Sequence, residues 1–277
     1  MQHIPRKRFG QHWLVDDSVL DKIIKAADLR KGDRVLEIGP GKGALTKRLL
    51  QTQVDLVHAV EIDRDLVPNL KMKFKSDNRF SIVEGNALSE SLLTINGVSP
   101  NKVVANIPYN ITGPLLSRLL GDFGGKKKCS YSLLVLLMQS EVAQRILAQP
   151  KDTNFSSMSV KIQLMANSDF VCDVAPSSFK PSPKVNSKVI TLSPLPEESR
   201  LDLDIEKRID RLLKIAFLAR RKKLRNTIGE FFEETSLGEI SERIGISLEQ
   251  RPQEISPDQW VALASELKSD SIEISKK

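Results

Sequence analysis

Between Arg34 and about Ile190, short apolar runs of strand length alternate with stretches of helical pattern. Arg34-Val35-Leu36-Glu37-Ile38 reads as a buried strand and 44–50 as a helix. Residues 56–60 are strand-like, and the charged piece 65–74 is helical. Residues 80–83 and 103–105 read as two more strands, followed by a helix over 111–120. The run 131–138 is a strongly apolar strand, and 141–148 a helix ended by Pro150. Parallel strands need helical crossovers and are buried on both faces, so this alternation predicts a doubly wound α/β domain with a mainly parallel sheet.

Pro176, Pro181, Pro183, Pro194 and Pro196 crowd the next section, where neither helix interiors nor central strands tolerate them. A boundary near residue 195 follows, giving domains of 1–195 and 196–277. Beyond it the pattern is helical: Ile205, Ile209, Leu212, Leu213 and Ala216 share one spacing, and Leu224, Ile228, Phe231 and Phe232 another. Ser256-Pro257-Asp258-Gln259 is a helix start, with an N-cap serine, proline in the first turn and Gln three residues on. Trp260, Leu263, Ala264 and Leu267 then form an apolar stripe. The tail after Lys268 reads as frayed.

Lys and Arg number 42 against 35 Asp and Glu, a net charge of +7. The excess suits an anionic partner such as nucleic acid, though basic proteins without one are common. Cys129 and Cys172 lie far apart, outside any metal-ligand spacing, so neither a disulfide framework nor a metal site is expected. No apolar stretch reaches about 18 residues, so no membrane span is expected. Residues 1–8 lack an apolar signal core, and a cytoplasmic location is the default expectation.

The first strand runs into Gly39-Pro40-Gly41-Lys42-Gly43-Ala44, and Glu61 stands twenty residues past Gly41 at the end of the second. A glycine turn between strand and helix lets a ligand approach the backbone, and an acid at that distance fits ribose hydroxyls. Both features serve a dinucleotide as well as S-adenosylmethionine. Two details favour the latter. Glu37 stands where a pyrophosphate would hardly welcome a carboxylate but a cationic ligand would. Asn86, after the third strand, can accept from an adenine amine and donate to a ring nitrogen. A plain tight turn remains the competing reading of the glycines, a strand-end acid that of Glu37 and Glu61, and a turn residue that of Asn86.

The fourth strand ends in Asn106-Ile107-Pro108-Tyr109. An adenine amino nitrogen is a poor nucleophile because its lone pair is delocalised into the ring. Acceptors holding its two protons push it towards tetrahedral geometry, and the Asn106 oxygen with a backbone carbonyl, that of Ile107, supplies them. Pro108 fixes the backbone, and Tyr109 offers a flat face. Five charges in six residues, Arg220 to Arg225, favour phosphate contact over a solvated face. Lys126-Lys127-Lys128 reads as a solvated loop.

In their order and number these segments closely resemble the small-subunit ribosomal RNA adenine N6,N6-dimethyltransferase family over nearly the whole chain. Lys7-Arg8-Phe9-Gly10-Gln11-His12-Trp13-Leu14 resembles the family's N-terminal motif, in which Gln11, His12 and Leu14 match cofactor contacts. Gly39, Gly41, Glu61 and Ile62 match further cofactor contacts, and Asn106, Pro108 and Tyr109 the catalytic motif. Phe179-Lys180-Pro181-Ser182-Pro183-Lys184-Val185 resembles the segment whose ring, here Phe179, sits across the target base. Arg221-Lys222-Lys223-Leu224-Arg225-Asn226 resembles the basic motif of the helical domain, which makes Arg221, Lys222, Lys223 and Arg225 candidate RNA contacts. The chain departs from the family at Asn86 and Asn186, both commonly Asp, and across 154–158.

The resemblance implies a Rossmann-like methyltransferase domain with a small all-helical C-terminal domain, and S-adenosyl-L-methionine as methyl donor. It further implies two methyls on each of two adjacent adenines near the 3′ end of small-subunit RNA. The expected partner is that RNA within a pre-small-subunit particle, and the expected state a monomer. The related large-subunit enzyme of macrolide resistance, a non-catalytic assembly factor and an NAD oxidoreductase are the alternatives.

Overall fold

The computed structural model describes residues 11–89, 94, 97–125, 129–229 and 234–266, without the side chains of 234–236. Lys7 to Gly10, Lys126-Lys127-Lys128, Phe231, Phe232, Leu267 and the tail therefore lie outside the described residues.

A short strand β1 (Trp13–Leu14) precedes those of the main sheet. The latter are β2 (Arg34–Ile38), β3 (Leu56–Glu61), β4 (Phe80–Glu84), β5 (Lys102–Asn106), β6 (Leu133–Gln139), β7 (Ala166–Val174) and, past another short strand β8 (Phe179–Lys180), β9 (Ser187–Pro194). The seven strands of this sheet lie in the order β4-β3-β2-β5-β6-β9-β7. Strands β4, β3, β2, β5 and β6 run parallel, each to its neighbour, and β9 is antiparallel to β6. The strand order reverses between β2 and β5, which opens a crevice beyond their carboxyl ends. Val35, Val57, Ala59, Val103, Val104, Ala105 and Leu134 to Leu137 are buried almost completely, as strands covered on both faces must be. Helices α1 (Asp17–Ala27), α2 (Ala44–Leu50), α3 (Val67–Lys73) and α4 (Thr112–Leu120) occupy the crossovers and the N-terminal approach, and α5 (Ser140–Leu147) follows β6.

A second, two-stranded sheet pairs β1 antiparallel with β8. It joins the N-terminal motif to the proline-rich segment, Trp13 opposite Lys180 and Leu14 opposite Phe179. Pattern reading along the chain gives no sign of this pairing, because two-residue strands carry no periodicity.

The chain packs as two compact units. One comprises Met1–Gly121, Lys128–Ala143 and Ser168–Pro194; the other comprises Asp122–Lys127, Gln144–Asn167 and Leu195–Lys277. The sequence pattern marks a single cut at 195, whereas the helical unit also takes in 122–127 and 144–167. The reason lies in its core: Ala148, Phe155, Val160 and Leu164 cluster with Ile209, Leu212, Leu213, Ala216 and Trp260. This core holds α6 (Ser157–Gln163), α7 (Leu203–Leu218), α8 (Glu234–Arg243) and α9 (Pro257–Glu266), with Leu237 and Ile240 contributed by α8. The start of α9 is a reciprocal cap, with the Gln259 amide N–H donating to Ser256 Oγ at 3.2 Å and the Ser256 N–H to Gln259 Oε1 at 3.0 Å. Residues 224–228, expected as a helix, begin instead as a single 3₁₀ turn, Leu224–Asn226. Leu224 and Ile228 are fully buried, as the apolar spacing expects, and Phe231 and Phe232 of the same pattern lie outside the described residues.

No described helix is long and apolar enough to cross a membrane. Trp260 is completely buried in the helical core, so Trp260→Ala should destabilise that unit by about 3–5 kcal/mol. Urea unfolding followed by far-ultraviolet circular dichroism should show the helical signal vanish at lower denaturant.

Candidate active site

The carboxyl ends of β2, β3 and β5, the loop after β4 and the N-terminal segment enclose a cavity of about 310 Å³. Its wall includes Gln11, His12, Gly39, Gly41, Glu61, Ile62, Asn86, Asn106, Pro108 and Tyr109, which brings together most of the residues picked from sequence. Trp13, Ile38, Val60, Gly85, Ala87, Ile107, Asn110 and Ile111 complete it.

The rear wall is set by backbone. Gly39 and Gly41 have φ of +67° and +57°, conformations that side chains resist. A Cβ on Gly41 would also lie 2.6 Å from Cδ1 of Trp13. The Trp13 ring therefore seats directly on the glycine turn, and Lys42 Nζ sits 4.1 Å above its centroid. Glu61 Oε2 accepts from Gly41 N–H at 3.1 Å and Oε1 from Asp63 N–H at 2.9 Å, so the carboxylate locks the turn to the end of β3. Burial pushes the Glu61 carboxyl above its ordinary value, against the opposing pull of these amides. Asp63, fully buried, accepts from Gln11 Nε2 at 2.8 Å and so anchors the N-terminal segment. Sequence reading missed Asp63, because an acid two residues past Glu61 has no distinguishing signal. Asn86 Oδ1 accepts from Leu88 N–H at 3.0 Å, so the residue shapes its turn while lining the cavity.

The opposite wall holds the expected chemistry. Asn106 Nδ2 donates to the His12 carbonyl at 2.9 Å. A carbonyl can only accept, so this bond fixes which end of the amide is oxygen. Asn106 Oδ1 keeps no partner among the described residues. His12 Nδ1 lies 2.8 Å from the Pro181 carbonyl, which likewise assigns the proton to Nδ1. Its ring stacks on Tyr109, with centroids 5.7 Å apart and planes 26° from parallel. Tyr109 Oη shares a hydrogen bond of 2.5 Å with Ser187 Oγ, and burial pushes the phenol upward, so the ring is a neutral face.

Three residues expected at the cofactor or base lie outside this wall. Strand side chains alternate between faces. Ile38 lines the cavity, while Glu37 points beneath α2 and accepts the Thr46 hydroxyl at 2.6 Å. Glu37 is 1% exposed, and burial raises its carboxyl to about 8, with the Glu61 charge adding to the rise. Burial therefore favours its neutral form, and the side chain faces α2 rather than the cavity. Leu14 and Phe179 face each other across β1 and β8 and are buried in the apolar core. The Phe179 ring supports the N-terminal strand instead of standing free across a base, because pairing with Leu14 places two apolar side chains together.

In the helical unit, the basic run forms the turn after α7. Lys223 Nζ and Arg225 Nη1 both bond to Glu249, at 2.5 and 2.7 Å, and the Lys223 hydrogen bond leads in holding that carboxyl below its usual range. Arg221 and Lys222 are exposed and have no acidic partner among the described residues.

Five parallel strands continued by an antiparallel β9, with a glycine turn and an Asn-Ile-Pro-Tyr turn at one cavity, define a Rossmann-like methyltransferase. Residues 2–269 match the family model described as ribosomal RNA adenine dimethylase. The chain belongs to this family. It is 57% identical over 265 residues, 96% of its length and 95% of the relative's, to ribosomal RNA small subunit methyltransferase A of Prochlorococcus marinus. Identity to the protein of that name from a Synechococcus is 54%, covering 96% of each chain. Among solved structures, a dimethyladenosine transferase from Plasmodium falciparum superposes with a TM-score of 0.76 at 28% identity, covering 91% of this chain and 96% of the other. The 23S rRNA methyltransferase ErmE shares the fold, with a TM-score of 0.72 at 22% identity over 92% of this chain and 99% of its own.

The buried Glu37 gives a pH signature. Its folded value is raised from 4.5 to about 8, so between those values the folded state holds a proton that the unfolded chain releases. Stability from this group is present at low pH and falls as pH rises through that window. Between pH 5 and pH 8, the drop in thermal unfolding temperature should be smaller for Glu37→Gln than for the wild type.

Proposed function

We propose that this chain uses S-adenosylmethionine to methylate the N6 amines of adenosines in small-subunit ribosomal RNA. Family membership supports the reaction, and the single structural observation that carries it is the orientation of Asn106. One N–H of its amide donates to the His12 carbonyl, which sets the amide orientation and leaves Oδ1 to accept a proton of the incoming amine.

The cavity fits the cofactor on charge as well as shape. Among the described residues its wall carries one carboxyl, that of Glu61, and no Lys or Arg. Lys42 turns away onto the Trp13 ring. A pyrophosphate would meet no cation in that wall, whereas a ligand bearing ammonium and sulfonium groups meets an acid. The discrimination expected of Glu37 therefore falls to the absence of any Lys or Arg from the described wall, and Glu61 serves the ribose. The carboxylate keeps acceptor capacity beyond the backbone amides it binds, which leaves room for a ribose hydroxyl. Gly39, Gly41 and Ile62 would flank the adenosine with Asn86 at its edge, and Gln11 and His12 would close the side nearer the amine.

When bound, the cofactor supplies an electrophilic methyl on a positively charged sulfur. Asn106 Oδ1 and the Ile107 carbonyl hold the amine's two protons and draw its lone pair out of the ring. Pro108 fixes the turn that presents them, and the neutral Tyr109 ring gives the base a flat surface. As the carbon–sulfur bond breaks and the nitrogen–carbon bond forms, the methylated amine becomes acidic. It releases a proton held at Asn106 Oδ1 to water without a strong base, so alignment carries most of the acceleration. Arg221 and Lys222 are the exposed cations for RNA phosphates, with Lys223 and Arg225 available once Glu249 yields them. On this reading the sheet unit carries methyl transfer and the helical unit, built mostly from residues beyond 195, carries RNA contact. The chain acts as a monomer on two adjacent adenosines near the RNA 3′ end, in a cytoplasmic pre-small-subunit particle.

Asn106→Ala should lower the methylation rate by about 10²-fold or more, since the amide oxygen it removes acts directly on the reacting amine. Calorimetric affinity for S-adenosylmethionine should change little. An unchanged rate would remove Asn106 from the mechanism.

Incubation with undermethylated small subunits and labelled cofactor should yield N6,N6-dimethyladenosine at two adjacent positions, read by mass spectrometry of digested RNA. Label confined to large-subunit RNA would move the chain to the resistance branch. Absence of label despite cofactor and subunit binding would favour a non-catalytic assembly role.

A further inference from the structure

Within the helical unit, residues 217–222 border a second, open cleft of about 650 Å³, which Thr153 and Gln253 also line. Four features meet there. Leu218 is 85% exposed, the most exposed of the large apolar side chains described. Arg220 donates from its guanidinium to the Thr153 carbonyl, which fixes a planar group in the cleft wall. Arg221 and Lys222 stand in solvent without acidic partners among the described residues. Gln253 lines the cleft with an amide whose Oε1 has no hydrogen-bond partner among them.

These features conflict in any simple reading. A solvated turn gains nothing from an apolar side chain left in water, and an apolar protein patch would not seat on two cations that face solvent. An unpaired nucleotide suits both, because it has flat apolar faces on its base and a phosphate on either side. Single-stranded RNA is commonly bound this way, with splayed bases on apolar or guanidinium surfaces and phosphates on Lys and Arg. We propose that this cleft takes one unpaired nucleotide of the RNA, its base against Leu218 and the Arg220 plane and its phosphates on Arg221 and Lys222. The inference rests on the RNA-substrate reading above and adds a base-binding pocket to what was a phosphate-binding run.

The test uses the full chain and two RNA hairpins, one fully paired and one carrying a single bulged 4-thiouridine, titrated over a salt series. The wild type should bind the bulged hairpin about tenfold more tightly, the lower range of a stacking interaction. Irradiation should cross-link the thio-base to residues 217–222. Leu218→Ser changes an exposed side chain, so the fold should survive, as circular dichroism can verify. It should abolish the preference for the bulge and leave the salt slope unchanged. Arg221→Ala with Lys222→Ala should lower the slope on both hairpins, by about 0.7 for each phosphate no longer neutralised. Equal binding of the two hairpins, or a preference that survives in Leu218→Ser, overturns the pocket while leaving RNA binding intact. Weakened affinity for whole small subunits in Leu218→Ser, with both hairpins unaffected, overturns it in favour of a protein partner. Binding to neither hairpin nor subunit overturns the RNA reading as well.

Discussion

The parallel register of the central sheet is the constraint on which the site depends. Ile38 pairs with Val60, Glu61 with Glu84, and Asn106 with Leu137, so adjacent strands finish at nearly one level. The turns that follow β2, β3, β4 and β5 therefore reach the same space. The ladder continues past the strands themselves: Gly39 N–H donates to the Val60 carbonyl, Gly85 N–H to Glu61 and Ile107 N–H to Leu137. The glycine turn, the Asn86 turn and the Asn106 turn are thus hung from one hydrogen-bonded lattice. A shift of one residue in any pairing would carry the attached loop away and turn its side chains to the other face.

The second half of the cavity comes from a different source. Gln11, His12 and Trp13 are held through Asp63, Asn106, Tyr109 and the Gly41 turn. Here side chains do what the backbone does at the rear. The acids divide their labour on the same lines. Glu61 accepts backbone amides and stays at the wall, while Glu37, on the adjacent strand, is buried, neutralised and tied to Thr46.

Much of this was legible in the chain itself. Continuous apolar runs announced β2 to β6, the glycine spacing announced the turn, and Asn106-Ile107-Pro108-Tyr109 announced the opposing wall. Ser256 and Gln259 declared a cap that the hydrogen bonds reproduce. What escaped was whatever depends on which side of a strand a residue faces, or on pairing between distant short segments. Glu37 and Ile38 differ by one position and by the whole thickness of the sheet. Phe179 was legible as part of a motif but not as the partner of Leu14, since β1 and β8 are two residues each. Phe155 and Val160 likewise show no sign, in their own segment, of belonging to a core built mostly from residues beyond 195.

The two walls differ in one further respect. The rear wall is welded into a seven-stranded sheet, whereas β1 rests on a ladder only two residues long. Opening free energy scales with the interactions that must be broken, and it falls towards zero at short peripheral elements. A pocket assembled in this way divides its tolerance to change: the wall carrying Trp13 leans on side-chain contacts from Asp63, Asn106 and Tyr109, whereas the glycine and Asn106 turns are fixed by the sheet itself.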